Sequence, residues 1–211
     1  MIESKNITAY RQNLKNRIID TAMQAFAAQG IRAVKMDDVV RKLGISKRTL
    51  YEIYENKEDL LFEGVKKYRK QQELDLLAVV SASKNVIDVL LYVYQETMEE
   101  FHKTVPQFYM DLVKYPKVMS FLEVDRQKKQ EHLQEFLQRG VQEGYFRKDV
   151  DFDIAAILLN TIAQSIMSAK LYQQYSMKQL FQNLVFITLR GLCTLRGVEA
   201  LDKKLNSVLI K

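Results

Sequence analysis

The sequence predicts an all-α protein of about nine helices. Glycine and proline are scarce, with seven and two residues among 211, and the strict alternation of apolar and polar residues typical of strands is absent. Helix-capping patterns recur at intervals that suit helices of ordinary length. The 47% apolar content is enough to fill a sizeable core, which excludes a disordered chain.

The first helix is predicted from near Ala9 to Ala28, before Gly30. One of its faces carries apolar residues at helical spacing: Leu14, Ile18, Ala22 and Phe26. Two short helices follow within residues 36–57. A fourth is capped by Asn56 and runs from Lys57 to about Val80.

The fifth and sixth helices come next. The fifth helix ends near Lys103. It is indicated by apolar residues at helical spacing, namely Val86, Leu90, Val93 and Phe101. Thr104 and Gln107 form a capping-box pattern for the sixth, with Pro106 in its first turn. The sixth ends before Pro116 because proline disfavours a helical residue ahead of it.

Three further helices complete the prediction. The seventh ends at Gly144 and carries Phe121, Leu122, Leu133, Phe136, Leu137 and Val141. Asp151 caps the eighth, and Ser176 with Gln179 makes a capping box for the ninth, which runs to about Leu195. The remaining residues form either a short extra helix or a mobile tail.

Residues 36–57 have the pattern of a helix-turn-helix. Gly44 can adopt the left-handed conformation that ends one helix, and Ser46 can cap the next within three residues. Leu50 and Tyr54 then face inward, since they lie four residues apart on one face. The opposite face presents a cationic and hydroxyl-bearing set of side chains: Lys47, Arg48, Thr49 and Tyr51.

This face suits the major groove of DNA. Lysine and arginine neutralise phosphates or donate to guanine, threonine contacts a base edge, and tyrosine offers a hydroxyl to a phosphate. Lys57, at the start of a helix, is placed for a further phosphate. The alternative is that a basic amphipathic hairpin with no role in DNA binding gives the same pattern.

The charge distribution favours DNA binding. Residues 1–70 contain 15 lysines and arginines against 9 acidic residues, whereas residues 71–211 contain 17 of each, so the whole net charge of +6 lies in the first third. A chain that touches a polyanion with one end would have this asymmetry.

The remaining composition indicates a cytoplasmic protein. Cys193 is the single cysteine, which excludes an internal disulfide and a cysteine-based zinc cluster and predicts a small buried hydrophobe. The polar N-terminus is unlike a signal peptide, so secretion is not expected. The most apolar run, residues 154–169, is shorter than the roughly 20 residues that span a bilayer.

Two other classes of protein share the all-α pattern: helical-bundle enzymes and structural interaction proteins. Glu99 and His102 have the Glu-x-x-His spacing of helix-bundle di-iron sites, but His132, the only other histidine, has Lys129 in place of the second glutamate. No enzyme, metal or cofactor is therefore expected. A purely structural interaction protein would leave the segregated basic charge without a role.

The chain resembles the TetR family of transcriptional regulators, most clearly over residues 15–65 and more weakly over residues 143–159. The resemblance implies an N-terminal DNA-binding domain at 1–56 and a C-terminal effector-binding and dimerisation domain at 57–211. It implies a homodimer, by default a repressor, that a small molecule releases from a palindromic operator.

The family's DNA contacts correspond to Lys47, Arg48, Thr49, Tyr51 and Lys57. Three positions depart from the family pattern. Ile53 replaces a Tyr or His that touches the DNA backbone, and Val40 replaces a small residue between the two helices. Lys35 and Met36 replace a capping Thr or Ser, and Lys35 is expected to supply the anion contact while the cap is lost.

Dimerisation is expected because one recognition helix makes too few contacts for specific binding. Two DNA-binding domains about 34 to 36 Å apart would meet successive major grooves, so the operator should be an inverted repeat. The predicted dimer surface lies on the eighth and ninth helices and consists of Ile157, Thr161, Ser165, Phe181, Leu184, Thr188 and Leu192. The alternative is that these two helices turn the same residues toward the subunit's own core.

The effector is expected to be apolar or aromatic, because aromatic and methionine side chains populate the helices that surround the cavity in this family. Core packing is the commoner role for residues of these types, and the candidate ligand-binding residues are Tyr92, Met98, Phe101, Phe108, Met119, Phe121, Gln164 and Met167.

Overall fold

The computed structural model describes the backbone of residues 2–209, and the side chains of these except residues 2–9, 131, 167 and 206–209. Within the described residues the fold is all-α, with ten α-helices and one 3-10 turn. The helices are α1 (Ile2–Gln29), α2 (Met36–Leu43), α3 (Lys47–Tyr51), α4 (Lys57–Ala82), α5 (Val86–Lys103), α6 (Pro106–Leu112), α7 (Pro116–Gln142), α8 (Phe152–Ser168), α9 (Met177–Leu192) and α10 (Leu195–Leu209).

The capping signals placed most of the helix ends correctly. The Asp151 carboxylate accepts the backbone N–H groups of Asp153 and Ile154 at 3.0 and 3.1 Å at the start of α8. The Ser176 hydroxyl and the Gln179 side chain accept from each other's backbone N–H at 3.2 and 3.0 Å, as a capping box requires.

Four details differ from the prediction. Helix α1 begins at Ile2 instead of near Ala9. The N-cap of α6 is Val105 instead of Thr104, and Gln107 turns its side-chain amide to Asp111 at 2.8 Å. Helix α9 ends at Leu192 instead of near Leu195, while the C-terminal stretch forms the helix α10, one of the two predicted alternatives. The 3-10 turn Leu171–Gln173 was not predicted.

The chain divides into two compact units, residues 1–74 with 103–125 and residues 75–102 with 126–211. The core of the first unit is built on the predicted stripe of α1, in which Ile18, Ala22 and Phe26 are buried, together with Leu50 of α3 and Leu60 of α4. Phe108 of α6 and Val118 of α7 belong to the same core. The functional boundary after residue 56 stays a prediction.

The second unit has its own apolar core, on α5, α9 and α10. Tyr94 packs against the rings of Phe181 and Phe186, with both centroid distances 6.2 Å. Cys193 is buried in this core as predicted, and burial raises the pKa of its thiol to about 11.

Gly30 ends α1 in a left-handed conformation, with φ of 88°. A Cβ added there would lie 2.8 Å from Cγ of Gln107, whereas one added to the left-handed Gly44, with φ of 65°, would meet nothing within 4 Å. We expect Gly44→Ala to lower the free energy of unfolding by about 1 to 2 kcal/mol through backbone strain alone, and Gly30→Ala to lower it further. Urea denaturation of the two variants measures the difference, and equal losses would contradict the close packing at Gly30.

Candidate nucleic-acid interface

The turn between α2 and α3 is built as the sequence predicts. Gly44 adopts the left-handed conformation, and its N–H donates to the Arg41 carbonyl at 3.3 Å. The Ser46 hydroxyl accepts the N–H of Thr49 at 3.0 Å, so α3 begins three residues after Gly44. A helix-turn-helix is therefore formed.

Helix α3 has one buried face and one exposed face. Leu50 is fully buried, and Tyr54, which follows the helix, is buried with it. On the opposite face the side chains of Lys47 and Arg48 are 64% and 89% exposed, and Tyr51 is about half exposed. The predicted surface is thus displayed to solvent, as contact with DNA requires.

Both exposed cations hold a carboxylate. The Lys47 ammonium lies 2.6 Å from Asp37, and Nε of Arg48 donates to Glu52 at 2.8 Å. The hydrogen bond and the charge of Asp37 raise the pKa of Lys47 above its ordinary value. The hydroxyl of Thr49 bonds locally to that of Ser46, at 2.8 Å.

Lys35 stands at the N-cap of α2, where its side chain cannot accept a hydrogen bond. Its own N–H donates to the Asp38 carboxylate at 2.8 Å, so Asp38 supplies half of the missing cap. Lys35, Asp37, Arg41 and Lys47 are among the residues that line one groove beside α3. The predicted anion contact of Lys35 would be made there.

Lys57 lies at the first position of α4, behind the predicted Asn56 cap, which accepts the Asp59 N–H at 3.0 Å. Its ammonium donates to the carbonyl oxygens of Ile31 and Arg32 at 3.0 and 3.4 Å. Desolvation lowers the pKa of Lys57 and outweighs the opposing charges of nearby carboxylates. Lys57 therefore ties the α1–α2 connection to α4, and its phosphate contact stays a prediction.

Two of the departures from the family pattern are apolar residues of the helix-turn-helix region. Ile53 is half-buried, so it packs against the core of the first unit instead of offering a hydrogen bond to DNA. Val40 is also half-buried against this core.

The predicted effector residues lie in both compact units. Phe108 and Phe121 pack in the core of the first unit, which also contains the exposed Met119. Met98 and Phe101 pack in the core of the second unit. Tyr92 and Gln164 also belong to the second unit, where the Tyr92 side chain is half-buried and the Gln164 side chain is exposed to solvent. The side chain of Met167 lies outside the described residues. The role of this set stays a prediction.

Sequence reasoning missed the carboxylates that organise this region. Glu52 follows Arg48 by four residues on the same helix face, a spacing that could have revealed the pair. Asp37 reaches Lys47 across the turn. Asp111 of α6 is fully buried and accepts the N–H of Arg32 at 2.8 Å across 79 residues of sequence, which no local pattern signals.

Among the side chains that the structure describes, no group of three or more His, Cys, Asp or Glu is placed to bind a metal ion. The described helices include none with the length and apolar character needed to cross a bilayer.

Comparison with known proteins agrees with this geometry. The family model of bacterial regulatory proteins of the tetR family matches residues 18–63, the segment that contains α2, α3 and the start of α4. The transcriptional repressor KstR2 of Mycobacterium tuberculosis is 27% identical over 147 residues, which cover 66% of this chain and 72% of that protein.

Two solved structures share the fold. A regulator from Saccharomonospora viridis, solved in complex with choline, matches with a TM-score of 0.70 at 18% identity. The match covers 87% of this chain and 99% of that regulator. The structure of the ketosteroid transcriptional regulator KstR2 of M. tuberculosis has a TM-score of 0.58 at 23% identity, with coverage of 85% and 95%.

These relatives are named as transcriptional regulators, which agrees with the prediction that the protein is not an enzyme. The family model lies on the helix-turn-helix itself, and the helical fold extends beyond it. The chain thus contains a helix-turn-helix segment of the tetR family of bacterial regulatory proteins at residues 18–63, and it is similar to transcriptional regulators beyond that segment.

Proposed function

We propose that this protein is a homodimeric repressor that binds an inverted-repeat operator and leaves it when a small molecule binds. The observation that carries the proposal is the exposed face of α3, where Lys47, Arg48 and Tyr51 stand free of the core while Leu50 anchors the helix. A regulator of this kind works where the chromosome lies, in the cytoplasm. Repression is favoured because a dimer bound over a promoter excludes polymerase.

The proposed dimer surface is the outer face of α8 and α9. On α8 a stripe of large apolar residues is exposed, formed by Ile154, Ile157, Leu158 and Ile162, and Thr161 and Ser165 are exposed beside it. Ile187 of α9 is 74% exposed. Contiguous apolar surface of this kind is typical of an interface, and a second copy could cover it as a four-helix bundle.

The remaining members of the predicted dimer set are less exposed. Phe181 packs partly into the subunit's own core, and Leu184, Thr188 and Leu192 are half-buried. The proposed contact on α9 therefore centres on Ile187 instead of the Phe181 side.

The proposed effector is an apolar or aromatic small molecule bound in the second unit. Tyr94, Phe101, Phe181 and Phe186 form an aromatic cluster there, on α5 and α9, and Gln182 donates to the Tyr94 hydroxyl at 3.1 Å. Apolar walls with a few placed polar groups are typical of ligand sites. One structural neighbour was solved in complex with choline, and another is named as a ketosteroid transcriptional regulator, which supports a small-molecule effector.

Selection of bound duplexes from a random pool, followed by footprinting, tests the operator. We expect protection of an inverted repeat and, for Tyr51→Ala, about a tenfold loss of operator affinity, because a base or phosphate contact is removed from an exposed residue. Tyr175→Ala is the control, since Tyr175 is similarly exposed but lies outside the helix-turn-helix. Equal affinities of the two variants would remove Tyr51 from the interface.

A further inference from the structure

We infer that Asp37 and Glu52 are specificity-determining residues: they occupy the two cations of the recognition helix and thereby weaken binding to arbitrary DNA more than binding to the operator. The inference rests on the proposed function and concerns the same surface. It assigns a role in DNA discrimination to two acidic residues that do not themselves contact the bases.

Both cations of α3 are already paired with carboxylates. The ammonium of Lys47 and the guanidinium of Arg48 are each bonded to a carboxylate, at 2.6 and 2.8 Å. Both cations lie on the solvent face of α3 and come from its first turn, which is the part of a recognition helix that approaches base edges. A phosphate can therefore reach these cations only in competition with Asp37 and Glu52.

Both ion pairs can be exchanged for contacts with DNA. All four side chains are substantially exposed, from 46% for Asp37 to 89% for Arg48. Ion pairs of this kind are screened by solvent and contribute little to stability. DNA can displace the carboxylates without unfolding the motif, but it must then bear their negative charge close to its own phosphates.

Asp37 and its neighbour Asp38 have different partners. Asp38 accepts the backbone N–H of Lys35 and pairs with Arg41, so it serves the start of α2. Asp37 instead reaches across the turn to Lys47 of α3, in the groove that Lys35 and Arg41 also line. Removal of the Asp37 charge would leave this groove with three cations and a single carboxylate.

Glu52 contacts only one of the three nitrogen atoms of the Arg48 guanidinium. Glu52 engages Nε, and the guanidinium carries two further nitrogen atoms, whose donors are the ones that match O6 and N7 of guanine. Glu52 can thus hold the side chain in one orientation while its terminal nitrogens contact a base. Such an orientation favours one base and does nothing for an arbitrary phosphate.

The two carboxylates affect operator binding and non-specific binding unequally. Non-specific binding is almost wholly a phosphate interaction, whereas operator binding adds base contacts. Carboxylates that compete for the same cations therefore subtract a larger share of non-specific affinity. The discrimination between operator and other DNA rises as a result.

The experiment compares Asp37→Asn and Glu52→Gln with wild type on two duplexes, the one selected by the wild-type protein and a scrambled version of equal length. Affinities are measured by fluorescence anisotropy between 50 and 300 mM salt. Asp20→Asn is the matched control, because Asp20 also forms an exposed 2.6 Å ion pair, with Lys67, but on α1 and α4. It makes the same change in net charge away from the motif.

For each test variant we expect about a fivefold gain in affinity for the scrambled duplex and less than a twofold gain for the operator. The slope of log affinity against log salt on scrambled DNA should steepen by up to about 0.9, the value for one added phosphate contact. The Asp20→Asn control should change both affinities by less than twofold. Thermal melting confirms that the variants are folded.

Two results would overturn the inference. If the test variants match Asp20→Asn on both duplexes, the carboxylates have no part in discrimination, although the proposed function stands. The same holds if operator and scrambled affinities rise equally. A wild-type protein that selects no duplex at all would instead remove the proposed function, and the inference with it.

Discussion

Asp111→Ala is expected to lower the free energy of unfolding by about 2 to 4 kcal/mol, the usual loss when one partner of a buried polar cluster is removed. Asp111 is fully buried in the first unit and accepts hydrogen bonds from the Arg32 N–H and the Gln107 amide, both at 2.8 Å. Lys114 adds its charge at 3.7 Å. An alanine would leave the partly buried Arg32 N–H and Gln107 amide without this acceptor.

The same cluster makes stability depend on pH. Burial alone would raise the pKa of Asp111, but the hydrogen bonds from Arg32 and Gln107 and the nearby positive charges outweigh it, so the pKa lies below the ordinary 3.8. Because the folded-state pKa is depressed, the contribution of Asp111 is fully present above pH 3.8 and is lost as the pH falls through the folded-state value.

Urea denaturation at pH 7 measures the loss. Asp20→Ala is the control, because Asp20 is an exposed carboxylate in an ion pair, and its removal should cost less than about 1 kcal/mol. Asp111→Ala should also reduce the protection of the Arg32 amide in hydrogen exchange. A loss no larger than that of Asp20→Ala would show that Asp111 does not hold the α1–α2 connection.

Ile157→Asp is expected to convert the protein to a monomer. Operator binding should then weaken at least about a hundredfold, since a single DNA-binding domain makes too few contacts for specific binding. Ile157 is 64% exposed at the centre of the apolar stripe on α8. A charge there would be buried without a partner in the dimer, while the isolated subunit would keep it in water.

Sedimentation equilibrium gives the oligomeric state, and circular dichroism checks that the helices persist. Leu77→Asp serves as the control, because Leu77 is a comparably exposed apolar residue on α4. It should leave the dimer and operator affinity unchanged. A dimer that survives Ile157→Asp would place the interface away from the middle of α8.

The helix-turn-helix was predictable from sequence because local rules decide it. Gly44 ends α2, Ser46 caps α3, and the spacing of Leu50 and Tyr54 fixes the buried face, so these features required only neighbours within a turn or two. The stripe on α1 and the capping box at Ser176 were predictable for the same reason. Thr104 shows where this fails, because the Gln107 side chain bonds to Asp111 one turn later in the same helix and does not complete the capping box.

The sequence by itself determined the all-α class, the exposed cationic face of α3 and the segregation of positive charge, since each depends on residue type and short-range spacing. The Arg48–Glu52 pair also follows from local spacing, whereas only the tertiary structure decided which carboxylate holds Lys47. Asp37 and Lys47 meet across a turn, and Lys57 and Asp111 bind the α1–α2 connection from distant parts of the chain. Their partners are chosen by helix packing, which leaves no periodic signal in the sequence.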